Sequence, residues 1–285
     1  MTVLEVIQRS TEFLQQKGVE SSRLQIELML AHALNLPRLK LYLNFDRVLT
    51  ETELNGIREM VKRRAAREPL QYILGNASFC GLEIKCSRAA LVPRPETELL
   101  AERAWKFLST LQAQSSTALD LGTGTGCIAI AIAVNAKQAD VHATDISPEA
   151  LALAKENAAK NSVANRIKFH QGDGFAVLPT DSKFDLIASN PPYITSAEIS
   201  SLQPEVRDFD PKLALDGGVD GLDFYRRIAL EARFFLRLHG KLMLEFGDGQ
   251  AEALKKIFSN ENWIVEEIIA DYSSRPRILI ARLAA

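Results

Sequence analysis

The sequence predicts an α/β protein: a Rossmann-like sheet, reached through a small helical domain and a β-hairpin linker. Three observations predict it. From Thr117 onward, short apolar runs alternate with helical patterns, as in a parallel sheet with crossover helices. A glycine-rich turn, Gly122-Thr-Gly-Thr-Gly126, follows the first of those runs. A later strand-like run, Phe184 to Ser189, stops abruptly at Asn190-Pro-Pro-Tyr193.

Composition sets the frame. At 285 residues the chain has room for about two domains. With 47% hydrophobic and 25% charged residues it matches ordinary soluble globular proteins. A net charge of −2 excludes polyanion binding by overall charge alone. Cys80, Cys86 and Cys127 are odd in number and match no zinc or redox spacing, which points to a reducing, cytoplasmic setting. His32, His142, His170 and His239 are scattered without metal-ligand spacing, so no metal is expected. The sequence shows no signal peptide and no apolar run long enough to span a bilayer.

The first 75 residues read as helices. Val3, Leu4, Ile7, Thr11 and Leu14 recur at helical spacing, and Gly18 suits a stop. Ser22 can cap a second helix carrying Leu24, Leu28, Ala31 and Leu34, with Pro37 just beyond. Thr50 and Glu53 form a capping box ahead of Leu54, Ile57 and Val61. That helix ends in Lys62, Arg63, Arg64 and Arg67. Cations at a helix C-terminus favour a solvated face; the alternative is a contact surface for RNA or an RNA-associated protein. Nothing in residues 1–75 looks catalytic, so they are expected to recognise a partner.

Residues 76–92 read as the linker, Ala77–Cys80 pairing with Leu82–Cys86 across Gly81. The remaining domain, 93–285, starts at a lead-in stiffened by Pro93 and Pro95. There Glu96 or Thr97 starts a helix through Leu99, Leu100, Ala104 and Phe107.

The strands then follow in order. Ala118–Leu121 leads into the glycine turn, and Cys127–Val134 is a small-residue helix. Val141–Thr144 ends at Asp145, and Pro148 suits the first turn of the next helix. Ile167–His170 is followed by Asp173, and Phe184–Ser189 by Asn190. Leu222–Leu238 reads as a helix and Lys241–Phe246 as a strand. After a helix at Ala251–Phe258, Trp263–Ile269 and Ile278–Leu283 close the chain. No helix fits between these last two strands, so they should pair antiparallel.

The glycine turn discriminates between cofactors. The dinucleotide fingerprint would put Gly or Ala at position 127, where Cys127 stands, and glycine comes one residue early, at Gly126. Asp120 would repel a pyrophosphate, but can orient a turn that faces a cationic donor. The pattern therefore favours S-adenosylmethionine over NAD. Gly122, Thr123, Gly124, Thr125 and Gly126 would pack against its methionine and ribose. Asp145 would accept from the ribose hydroxyls and Asp173 would meet the adenine amine.

Asn190 is the other focus. The first proline pushes it out of helical space, and the pair of prolines withholds two backbone donors. A polar amide thus stands at a strand's C-terminal end, where open α/β sheets bind ligands. That arrangement suits transfer to a planar NH2 group. The Asn190 oxygen and the Pro191 carbonyl accept its two hydrogens, and Tyr193 stacks on its flat π system.

Asp120–Gly126, Asp145, Asp173 and Asn190–Tyr193 together resemble the seven-strand S-adenosylmethionine-dependent methyltransferases. Tyr72-Ile-Leu-Gly75, Phe79 with Gly81, and Val92-Pro-Arg-Pro-Glu-Thr-Glu98 are similar to one branch, the peptide chain release factor glutamine methyltransferases. The resemblance covers nearly the whole chain. It implies methylation of the glutamine amide in the Gly-Gly-Gln (GGQ) tripeptide of class 1 release factors, with S-adenosylmethionine as donor. It also implies a protein substrate docked by residues 1–75, no direct nucleic-acid substrate, no membrane and a monomer. Asn190, Pro191, Pro192 and Tyr193 would bind the substrate, with Asn190 also beside the donor. One departure stands out. Relatives often carry an aromatic residue after the aspartate, where this chain has Gly174, which leaves only a backbone contact to the adenine.

An amide nitrogen is a poor nucleophile, and no strong base stands near Asn190, so catalysis by positioning is expected. Arg94, Glu96 and Thr97 are expected to shape the pocket. Two rivals share parts of this pattern. A methyltransferase for the exocyclic amine of adenine in DNA or RNA would need a larger recognition domain and more basic character. A non-catalytic donor-binding adaptor would have no use for Asn190 and Tyr193.

Overall fold

The computed structural model describes residues 1–111 and 115–284. The chain divides into two compact units, Met1–Gly75 with Gln203–Phe209, and Asn76–Leu202 with Asp210–Ala285. In chain order, the helices of the first unit are α1 Val3–Gln16, α2 Ser22–Ala33, α3 Arg38–Leu41, α4 Glu51–Ala65 and α5 Leu70–Leu74. The second unit follows with β1 Asn76–Phe79, β2 Leu82–Lys85, α6 Pro95–Thr110, β3 Ser116–Leu121, α7 Cys127–Asn135, β4 Ala139–Asp145, α8 Pro148–Lys160, β5 Ile167–Gln171 and β6 Phe184–Ser189. One helical turn, α9 Pro204–Arg207, belongs to the first unit. The second then closes with α10 Asp223–Glu231, β7 Leu236–Glu245, α11 Ala251–Asn260, β8 Trp263–Ala270 and β9 Pro276–Leu283.

The first unit is a helical bundle around Val3, Ile7, Leu14, Ile26, Leu30, Leu54 and Ile57. Its capping box at Thr50 and Glu53 is formed as expected, and Thr2 with Glu5 makes a second one on α1. Ser22 does not cap α2. Ser21 takes the N-cap position in a left-handed conformation, and the Ser22 hydroxyl donates back to the Val19 carbonyl at 2.6 Å. The short helices α3 and α5 each start after a proline, Pro37 and Pro69. The basic run divides into an exposed pair, Lys62 and Arg63, and an inward pair, Arg64 and Arg67. Lys62 pairs with Glu59 and Arg63 with Glu68. Buried Arg64 and half-buried Arg67 take both oxygens of Glu205 on α9, each at 2.6 Å. Their partner lies about 140 residues away in sequence, so charge patterning along α4 could not show it.

The second unit is built on a seven-stranded sheet of order β5-β4-β3-β6-β7-β9-β8. The first five of these strands run parallel, β9 is antiparallel to β7, and β8 is antiparallel to β9, as expected. The hairpin β1–β2 is part of this unit, with Phe79 and Ile84 in a core shared with α6 and α7. The chain winds outward from β3 through β4 to β5, then returns to lay β6 on the other side of β3. This reversal opens a crevice beyond the C-terminal ends of β3 and β6. The glycine turn leaves β3 and Asn190 leaves β6 at that crevice.

The helix expected over 222–238 ends earlier. α10 stops at Glu231, a 3-10 turn spans Ala232–Phe234, and β7 begins at Leu236. Sheet pairing overrides the helical pattern: the Phe184 N–H donates to the Phe235 carbonyl at 2.7 Å, and Phe184 faces Leu236. Gly240 permits this pairing, since a β-carbon there would stand 2.9 Å from the Asp185 carbonyl.

Among the described residues, no helix is long and apolar enough to cross a membrane. Among the same described residues, no group of three His, Cys, Asp or Glu is placed to hold a metal ion. His142 and His170, apart in sequence, meet at 3.1 Å on β4 and β5. Burial pushes both below the usual histidine range.

Candidate active site

A cavity of about 240 Å³ occupies the crevice. Its wall contains Gly122–Thr125, Asp145, Asp173 with Gly174, and Asn190–Pro192. Arg94, Thr97 and Arg227 complete the part that bears on chemistry. A strap joins its two halves: the Ser189 hydroxyl at the end of β6 donates to the Leu121 carbonyl at the end of β3, at 2.6 Å.

One half is the glycine turn. The Gly122 and Thr123 N–H groups donate to the Thr144 carbonyl at 2.9 and 2.8 Å, pinning the turn to the end of β4. Asp120 holds it from behind. It is fully buried, and its Oδ2 accepts from the Thr123 hydroxyl at 2.6 Å and the Ala129 N–H at 3.0 Å. Its Oδ1 has no partner among the described residues, and burial pushes the carboxyl up to about 7. Asp120 therefore orients the turn, as expected, but does not itself line the cavity. Gly126 is also behind the wall. A β-carbon there would stand 3.0 Å from the Ala154 β-carbon, so this glycine lets α7 and α8 approach. Gly122 is different. Its φ is +75° and a β-carbon would meet no protein atom within 4 Å, which leaves space for a ligand against bare backbone.

Asp145 lies at the wall with its carboxylate already aimed. Oδ2 accepts from the Gly124 N–H at 2.8 Å and Oδ1 from the Ser147 N–H at 2.9 Å. Each oxygen keeps further acceptor capacity, enough for the two adjacent hydroxyls of a ribose. Asp173 is less free. Its carboxylate and its carbonyl both accept from Arg227, whose Nε donates to Glu231 at 2.9 Å. The guanidinium lies over Gly174, where a β-carbon would stand 2.6 Å from Nη2. A side chain at 174 would displace the end of this arginine.

The other half is Asn190. Its Nδ2 donates to the Thr97 hydroxyl at 3.2 Å, and that hydroxyl donates to buried Glu245 at 2.7 Å. Arg94 reaches buried Asp210 at 2.7 Å. Glu96 does not line the cavity. Nor does Tyr193. Its ring packs against Gly247, where a β-carbon would stand 2.9 Å from Cδ2, and against the core near β7. Burial pushes its hydroxyl up to about 12. The Tyr193 carbonyl accepts from Gln250 at 2.9 Å, so the residue fixes the loop rather than walling the cavity. The next residue is also fastened, Ile194 N–H donating to the Leu215 carbonyl at 3.0 Å.

Sequence reasoning missed Glu245, Arg227 and Gln250. Only Glu245 left a signal, a lone carboxylate near the end of the apolar run Lys241–Phe246.

Family models place the chain. The PrmC N-terminal domain matches residues 5–75, and the methyltransferase small domain matches residues 103–203. The chain is 45% identical over 258 residues to a release factor glutamine methyltransferase of Geobacter sulfurreducens, covering 90% of this chain and 88% of that one. It is 38% identical over 285 residues to a release factor glutamine methyltransferase of Cereibacter sphaeroides, covering 100% of each. A methyltransferase from Pyrococcus furiosus shares the fold, with a TM-score of 0.52 at 19% identity over 83% of this chain and 100% of that one.

Proposed function

The chain belongs to the release factor glutamine methyltransferases, and we propose that Asn190 and the Pro191 carbonyl aim the target amide at a donor held along the glycine turn. As a member it is a protein-(glutamine-N5) methyltransferase specific for release factors. The finer reading is that the target glutamine is that of the GGQ tripeptide in class 1 factors, and that the donor is S-adenosylmethionine.

The wall fits that donor. Asp145 presents two prealigned carboxylate oxygens to a ribose, and the bare backbone at Gly122 leaves room for its methionine end. The Arg227 guanidinium lies against Gly174 and would take the place of the aromatic ring that relatives often carry, since a guanidinium also stacks on planar π systems. Bound there, the donor supplies an electrophilic methyl on a cationic sulfur.

The chain's own residues supply orientation. The Asn190 oxygen and the Pro191 carbonyl accept the two hydrogens of the acceptor NH2, which fixes the nitrogen and leaves its face toward the donor. They also stabilise the positive charge that develops there. Holding two reactants in line supplies up to about 7–11 kcal/mol in favourable cases. Tyr193 acts by fixing the loop. Residues 1–75 are assigned to docking of the release factor.

The observation that carries this reading is Asn190, tied through its NH2 and sharing one cavity with Asp145. The test is incubation with labelled donor and either intact release factor or nucleic acid. Label on the release factor glutamine supports it; label only in nucleic acid overturns it. A chain truncated to begin at Ala77 should still bind donor but methylate release factor poorly. That truncation also strips Glu205 of Arg64 and Arg67, so Glu205→Gln in the full chain is the matched control.

A further inference from the structure

We propose that Thr97 and Glu245 are positioning residues for the transfer, a two-step hydrogen-bond relay that fixes which end of the Asn190 amide meets the acceptor. This deepens the reading of Asn190 above and rests on it.

Three elements build the relay. Thr97 sits in the first turn of α6, Glu245 ends β7, and Asn190 follows β6. β6 and β7 are neighbours with Ser189 opposite Leu244, so the next residues, Asn190 and Glu245, reach the same level. Thr97 is 3% exposed and Glu245 2%, so bulk water does not compete for their bonds.

Counting protons sets the direction. An ionised carboxylate only accepts. The single Thr97 proton therefore goes to Glu245, at 2.7 Å. The Thr97 oxygen can then only accept, and its partner at 3.2 Å must be the Asn190 NH2. The Asn190 oxygen is left for the acceptor amide. An acid at Glu245 permits the reverse order. It would donate to Thr97, Thr97 would donate to the Asn190 oxygen, and an NH2 would face the NH2 of the target.

The surroundings of Glu245 bring this reversal within reach. Burial raises its carboxyl to about 7, Glu96 adds to the rise, and Arg277 and Arg94 oppose it. Buried Tyr225 donates to the Glu245 main-chain carbonyl at 2.8 Å, and Tyr193 lies near both. The rate of transfer should therefore fall on acidification through the neutral range.

The experiment compares kcat, the release factor KM and donor affinity for Thr97→Val, Thr97→Ser, Asn190→Ala and Asn190→Asp, and for Asn190→Asp combined with Glu245→Gln. Thr97→Val should lower kcat about 10- to 100-fold with donor affinity within about twofold, because only alignment is lost. Thr97→Ser should stay near the parent. Asn190→Asp sets two carboxylates against one hydroxyl proton and should be slow. Adding Glu245→Gln reverses the relay, since the glutamine NH2 can donate to Thr97 and Thr97 to the carboxylate at 190. It should raise kcat about tenfold above Asn190→Asp alone, a coupling expected of groups joined in one hydrogen-bond network. Glu245→Gln alone should flatten the acid limb of the pH profile.

Parent kcat in Thr97→Val beside an impaired Asn190→Ala overturns the relay and leaves the reading of Asn190 standing. Parent kcat in Asn190→Ala overturns both. Equal losses of kcat and donor affinity in Thr97→Val mark a merely structural residue and overturn the relay. Should Thr97→Val not fold, the rescue of Asn190→Asp decides, and its absence overturns the relay.

Discussion

The two halves of the cavity are held by different means. The half proposed to hold the donor is mostly backbone: the glycine turn hangs from the Thr144 carbonyl, and Asp145 is aimed by two main-chain N–H groups. The acceptor half is side chains brought together over 93 and 148 residues of sequence, Asn190 to Thr97 and Thr97 to Glu245. A backbone cradle tolerates exchange of most side chains. A side-chain relay fails when one member is lost. Damage to the donor half should thus appear in affinity, and damage to the acceptor half in rate.

The largest effect tests that division directly. Asn190→Ala should lower single-turnover methylation of release factor by about a hundredfold to a thousandfold, the loss of one preorganised partner of a developing charge. Next is Asp145→Ala, which should weaken donor binding by about 10- to 100-fold, as expected for a lost hydrogen bond to a charged acceptor. Calorimetry measures it, and unchanged affinity would move Asp145 out of the site. Arg227→Ala is smaller, about 3- to 10-fold in donor affinity, since it removes one stacking face. If the variant instead changes the rate at saturating donor, the guanidinium belongs with the acceptor half.

The last expected effect is read in stability. The Glu245 carboxyl rises from 4.5 to about 7 on folding. Its contribution to stability is full below 4.5 and is lost as pH rises through 7, on the order of 3 kcal/mol. Glu245→Gln avoids that loss. Its melting temperature should match the parent near pH 4.5 and exceed it increasingly up to about pH 8. A variant less stable at every pH would mean that the ionised form is well compensated in the fold.

The same contrast explains what the sequence made legible. The glycine turn, Asp145 and Asn190 could be read because each stands where a strand stops, and strand ends gather at one edge of the sheet. The direction of an amide cannot be read that way. It depends on Thr97 and Glu245, which meet only once β7 lies beside β6 and α6 closes over both. Asp120 was legible as the residue that orients the turn, whereas Tyr193, expected to stack on the target amide, turns its ring toward the core near β7, because spacing along the chain does not say which face of a turn a side chain takes. Arg64 and Arg67 looked like a solvated run for the same reason, their carboxylate arriving from Glu205. The early end of α10 was hidden by a pairing with β6 that local periodicity does not record.

In the proposed mechanism one cavity separates binding from alignment. The direct measurement is the single-turnover rate at saturating donor, beside donor affinity, for Asn190→Ala and Asp145→Ala with the same intact release factor. A crossed result is expected. Asn190→Ala should lose rate and keep affinity, and Asp145→Ala should lose affinity and keep most of its rate once saturated. Parallel loss of rate and affinity in Asn190→Ala would make that residue a structural end to β6, and would contradict the account.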